Sequence, residues 1–231
     1  GSFYHDSASP AGSLPDRMAG FGEGVDEDDR PRNGFNLREV ELGFSAAVDP
    51  YFRAWATVSV DEDSAGFEEA VVQTTSLPYG LTLAAGKIKS GIGRLNRQHA
   101  HAWDFVDEPL VYHAFFGPEG LTDAGLQLTW LAPTPFYLLF GTEVFNGDDD
   151  RSFSTAGDGL KDHDAPRLVT AFVKAGPDLG PKHALQGGLS ALYGREAVWS
   201  ADLAAGAAGF SRIYGADAVY KYSSGKVDGE G

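Results

Sequence analysis

Between Asn36 and Val60 the chain alternates apolar and polar residues with a period of two. Val40, Leu42, Phe44, Ala46 and Val48 interleave with Glu39, Glu41, Gly43 and Ser45. After Asp49-Pro50, Phe52, Ala54, Ala56, Val58 and Val60 interleave with Arg53, Trp55, Thr57 and Ser59. Successive side chains of a strand point to opposite faces, so this pattern predicts a hairpin with one apolar face. Further runs predict strands at Phe67–Thr75, Leu81–Ile88, Leu126–Trp130, Phe136–Val144, Arg167–Ala175, Ala184–Tyr193 and Arg212–Tyr222. Nine strands are expected, with a tenth at Ser2–Asp6 as an addition. All 12 prolines fall between the runs. Proline cannot donate to a ladder, so a real sheet excludes it from strand interiors.

The connections alternate in length. Short turns sit at Asp49, Pro78, Pro133 and Pro177. Long or charged connections run from Ser7 to Asn33, Asp61 to Gly66, Ser90 to Asp123, Asn146 to Pro166 and Gly194 to Ser211. Twenty-two of the 33 acidic residues lie in the long connections, whereas the short turns hold only Asp49 and Asp178. Aromatic residues Tyr51, Phe52, Tyr79, Phe136 and Tyr137 cluster beside the short turns. Short turns at one end, long polar loops at the other and aromatic girdles are the pattern of an antiparallel up-and-down transmembrane β-barrel. The competing architecture is a soluble β-sandwich binding module, in which the apolar face covers a second sheet.

The chain of 231 residues is expected to form a single β-barrel domain over 1–231. There is no cysteine, which removes disulfides, thiolate chemistry and Cys-based zinc sites. No apolar run is long enough for a transmembrane helix. A net charge of −15 argues against nucleic acid as a partner. There is no GxSxG motif and no Ser-His-Asp set that the sequence brings together, so no enzymatic activity is expected. The polar tail after Tyr222 follows directly on a strand. An open edge in lipid would leave backbone groups unpaired, so further strands are expected unless the barrel closes at ten.

The segment 90–123, with the strand end before it, stands apart. From Lys87 to Asp123 it carries Lys87, Lys89, Arg94 and Arg97, three of the six histidines and a dense aromatic set. A loop this long in a compact domain is functional or disordered, and one this aromatic needs a surface to pack on. A basic constriction at Arg94 and Arg97 would draw anions; the alternative is that both pair with Asp104, Asp107 or Glu108 and pin the loop. His99 and His101, two apart, with Asp104 suit zinc; the alternative is hydrogen bonding to the wall. The runs Asp26–Asp29 and Asp148–Asp150 could take calcium, or be solvated acidic loops. Strand parity adds Arg53, Lys174 and Lys221 to the inward-facing cations, against Glu39, Glu41, Glu143 and Asp217.

Five stretches carry a resemblance: Gly34–Gly43 (GFNLREVELG), Ala47–Phe52 (AVDPYF), Ala85–Ser90 (AGKIKS), Gly93–His99 (GRLNRQH) and Trp103–Leu110 (WDFVDEPL). In these the chain resembles bacterial outer-membrane porins of the phosphate-selective superfamily, and within it the zinc-regulated outer-membrane protein branch. The resemblance implies a barrel near 16 strands, of which this chain is the N-terminal part, with the third long loop folded inward at 90–123 as the pore constriction. It implies the bacterial outer membrane, contact with lipid and lipopolysaccharide, and a homotrimer. Phosphate-selective members line the pore with stacked arginines and lysines; here the lumen parity mixes cations with acids. The expected function is passive diffusion of small hydrophilic solutes or ions, anion-leaning, past Lys87, Lys89, Arg94, Arg97, Arg53 and Lys174. The alternative is a zinc-binding or uptake receptor built on His99, His101 and Asp104.

Overall fold

The computed structural model describes residues 2–4, 34–36, 40–61, 64–99, 102–103, 109–117, 120–147, 152–153, 166–196 and 209–223. The described residues are almost entirely β. Strands β1 (Ser2–Tyr4) and β2 (Gly34–Asn36) pair with each other in a small sheet. The main sheet holds β3 (Val40–Ala47), β4 (Phe52–Val60), β5 (Ala65–Thr74), β6 (Leu81–Lys89), β7 (Thr122–Leu131), β8 (Tyr137–Phe145), β9 (Leu168–Gly176), β10 (His183–Glu196) and β11 (Gly209–Tyr222). Its order follows the chain from β3 to β11, and every neighbouring pair is antiparallel. This is the nine-stranded up-and-down sheet that the alternation predicts. The strand expected at Ser2–Asp6 forms in part, but it pairs with Gly34–Asn36 instead of extending the sheet. Among the described residues β3 and β11 are the two ends of the sheet and do not pair with each other.

The short turns are closed by their own side chains. Asp49 Oδ1 accepts from the backbone N–H groups of Tyr51 (2.7 Å) and Phe52 (2.8 Å). Asp178 Oδ1 accepts from Gly180 N at 2.9 Å. Aspartate is favoured at such places because its carboxylate satisfies N–H groups that have no ladder partner. The connection between β4 and β5, grouped with the long ones by its charge, is also tight: Ser64 N donates to Asp61 Oδ1 at 2.6 Å.

Register carries the period of two across the whole sheet. One transverse row runs Arg53, Gln73, Ala84, Gln127, Glu143, Thr170, Leu192, Ile213. The adjacent row runs Ala54, Val72, Ala85, Leu126, Val144, Val169, Tyr193, Arg212. The first row belongs to the covered face and the second to the bare one. On the bare face Leu42, Phe44, Leu83, Leu126, Leu128, Trp130, Phe140, Leu189 and Tyr214 are all exposed. Soluble monomers rarely leave so continuous an apolar surface uncovered. The covered face buries polar groups instead, among them Asp123, Gln127, Glu143, Thr170 and Lys174.

What covers that face is the chain's own connections. Ile92 and Leu121, from the stretch between β6 and β7, join Phe153, from the stretch between β8 and β9. They pack on Val71, Ile88, Phe145, Leu168 and Leu192 of the sheet. Phe145, Phe153, Leu121 and Leu168 are fully buried. The core therefore lies between the sheet and its inward-folded connections, not between two sheets.

Candidate functional site

The stretch after β6 turns back along the covered face, and Glu143 explains why it goes there. Glu143 is completely buried. Its neighbours in register are Gln127 and Thr170. Gln127 Nε2 donates to Oε1 at 2.6 Å, and the Thr170 hydroxyl donates to Oε2. The loop supplies the other two donors, Gly91 N to Oε1 at 2.7 Å and the Ser90 hydroxyl to Oε2. A buried carboxylate is tolerated only when its oxygens are satisfied by donors, and here wall and loop contribute two each.

Three further contacts hold the loop. Asn96, buried, donates from Nδ2 to the carbonyls of Ser90 and Leu121 (both 2.9 Å), and its Oδ1 accepts from Leu121 N at 2.7 Å. It thus ties the two feet of the connection together. Lys174 Nζ donates to the carbonyl of Gly93 at 2.9 Å. The Phe172 ring lies between Gly91 of the loop and Gly141 of β8, so close that a Cβ on either would enter it. The helix α1 (Leu110–Phe116) follows in the same connection. Tyr112 and Phe116 meet edge to face at 5.9 Å, and Phe115 O accepts from Ser152 N at 3.2 Å.

A second cluster pins the far part of the loop toward the β3 end of the sheet. His99 Nδ1 lies 2.6 Å from Glu68 Oε2, and its Nε2 lies 3.1 Å from Glu69 Oε2. Consecutive residues of a regular strand face opposite ways. A bulge removes that constraint: Thr57 pairs with Glu69 and Val58 with Phe67, leaving Glu68 as the extra residue. The hydrogen bonds to Glu68 and then Glu69 keep the imidazole protonated, raising its pKa to about 9. Glu41 on β3 completes a group that could hold a metal ion, its carboxylate, that of Glu68 and a ring nitrogen of His99 lying within 4.8 Å of one another.

The basic residues singled out by sequence divide into separate places. Arg97 is exposed on the loop and near enough to Lys174 and Tyr137 for its charge to act on both. Arg94, three residues before Arg97, is half-buried. Arg53 lies on the covered face at the short-turn end, donating from Nε (3.1 Å) and Nη2 (2.7 Å) to Gln73 Oε1. Lys87 departs from the solute path expected for it. Its register partners Ala70 and Ala124 put it on the bare apolar face, and its Nζ donates to Phe67 O at 2.6 Å. Lys89 is buried beside Glu68, Glu69 and His99, with its backbone N–H on Glu69 Oε1 at 3.2 Å. His101, Asp104, Asp107, Glu108, Glu39 and the runs Asp26–Asp29 and Asp148–Asp150 lie outside the described residues.

Glu143 was legible only as an inward charge, and Asn96 and Glu68–Glu69 carried no expectation. The one available signal was Glu68–Glu69 itself. Two adjacent acids break a period-two run, which is what a bulge does to a strand.

Comparison with known proteins finds a relative. The chain is 43% identical over 200 residues to an uncharacterized protein of Aquifex aeolicus (strain VF5). The match covers 83% of this chain and 42% of that protein, so the chain spans less than half the relative's length. No family profile and no solved structure matches.

Proposed function

We propose that the chain forms part of the wall of an outer-membrane β-barrel porin through which small hydrophilic solutes or ions diffuse. The observation that carries this reading is the inversion of the sheet. Its apolar face is bare, as a lipid-facing wall requires, and its polar face is covered by the chain's own connection. In lipid the edge strands β3 and β11 need hydrogen-bonding partners. The reading therefore calls for additional strands to close the barrel, and a chain of the relative's length has room for them.

Passage is passive on this reading. The stretch 90–97, fixed to Glu143, Lys174 and Phe172, narrows the lumen. Arg97, exposed, and Arg94, half-buried, meet solutes there with positive charge, opposed by Asp217, and the balance leans toward anions. Planar-bilayer conductance of the full-length protein tests the reading, with a reversal potential measured in a salt gradient. Ohmic steps with an anion-selective potential are the expected result. A folded barrel that passes no current would overturn it.

A further inference from the structure

We propose that Glu41, Glu68 and Nδ1 of His99 form a binding site for a divalent transition-metal ion that ties the loop to β3 and β5. This inference does not depend on the porin reading. The donor set is one imidazole nitrogen and two carboxylates, which suits zinc and its neighbours in the first row and not calcium, whose sites are built from oxygen alone. The three ligands come from three separate places, β3, the bulge of β5 and the loop; a carboxylate oxygen of each glutamate and a ring nitrogen of His99 lie within 4.8 Å of one another, and Nδ1 is the nitrogen 2.6 Å from Glu68 Oε2. A tetrahedral ion with bonds of about 2.1 Å needs its ligands about 3.4 Å apart, a closure within reach of glutamate rotamers.

The other side of the imidazole supplies an independent observation. A histidine that ligates through one nitrogen nearly always donates its other N–H to a carboxylate, which fixes the ring and strengthens the ligand. Glu69 Oε2 stands at 3.1 Å from Nε2 and already holds that position. The bulge is what makes this possible, since it lets Glu68 approach one ring nitrogen and Glu69 the other. Binding replaces the proton between Nδ1 and Glu68 by the ion, and the proton leaves to solvent. The ligand set also differs from His99, His101 and Asp104, which the sequence spacing suggested, because Glu41 and Glu68 are remote from His99 in the chain.

The test is titration of the metal-free, folded protein with Co²⁺, read by its visible absorption and followed by displacement with Zn²⁺. Wild type is expected to take up one ion per chain at this site. Glu41→Gln and His99→Gln are each expected to weaken binding by at least tenfold, and Glu69→Gln by about 10- to 100-fold. Circular dichroism establishes that each variant is folded. Should His99→Gln fail to fold, Glu41→Gln decides alone, since Glu41 is only half-buried on an edge strand. Absence of saturable binding in wild type overturns the proposal. So does binding that Glu41→Gln leaves within twofold, whatever His99→Gln does.

Discussion

Replacing Glu143 by alanine removes the acceptor on which wall and loop converge. Four donors lose their partner: the N–H of Gly91, the amide of Gln127 and the hydroxyls of Ser90 and Thr170. The two hydroxyls can rotate to other acceptors. The Gly91 N–H is fixed by the backbone, and the Gln127 amide by its place in the sheet. Each buried donor left unsatisfied costs about 1–3 kcal/mol, so the two together cost about 2–6 kcal/mol. Most of that falls on the loop, because the ladders on both sides of Glu143 use backbone groups and remain. The free energy of local opening of 90–97 drops accordingly, and at 1.4 kcal/mol per decade the open population rises at least about 25-fold. Limited trypsin digestion reads this directly, since Arg94 and Arg97 lie within the loop. Cleavage at these two sites is expected to accelerate by at least that factor, with circular dichroism unchanged. Glu143→Gln retains one oxygen for Gly91 and Gln127 and turns its amide to the two hydroxyls, so it is expected to fall between wild type and Glu143→Ala. Cleavage of a folded Glu143→Ala variant within threefold of wild type would refute the claim that this carboxylate holds the loop.

Three other outcomes follow from the same geometry. Asn96→Ala strips the contacts joining Ser90 and Leu121, and hydrogen exchange at the Leu121 amide is expected to speed up by one to two decades, from about 1–3 kcal/mol of lost protection; unchanged exchange there would mean that Asn96 is not the tie. Leu128→Arg places a charge in the middle of the bare face: a lipid-facing position loses about 2–4 kcal/mol of membrane folding stability. A water-facing sheet would instead gain solubility at no such cost, so urea titration in liposomes separates the two. Arg97→Glu reverses the exposed charge beside Lys174, and the reversal potential is expected to move toward cation selectivity; no movement would place the selectivity elsewhere.

How far each feature was legible in the sequence follows from the range of the physics behind it. The nine strands were readable because alternation is local. Each strand shows it within its own length, and prolines and aspartates mark the ends. The bare and covered faces were readable for the same reason, since antiparallel register transmits parity unchanged from Arg53 to Ile213. Parity also assigns Lys87 to the face of Ala85 and Leu83, but only once the register with Ala70 and Ala124 is known. Both parities of that strand carry apolar residues, so the sequence alone left its direction open. Lys89 shows the opposite limit: at a strand end its side chain follows Glu68 and Glu69, not parity. Glu143 and Glu68 were illegible as partners of the loop for a different reason. Their roles depend on which residues 50 or 30 positions away reach them, and no local periodicity encodes that. The loop itself carries a compositional trace of its destination. It is rich in aromatic and small residues because it must pack on a wall, and its short polar side chains, Ser90 and Asn96, are those able to satisfy buried backbone and carboxylate groups at close range. Composition thus indicated that the connection folds inward, while the surface it folds onto is specified by wall groups remote in sequence, among them a buried acid two strands away.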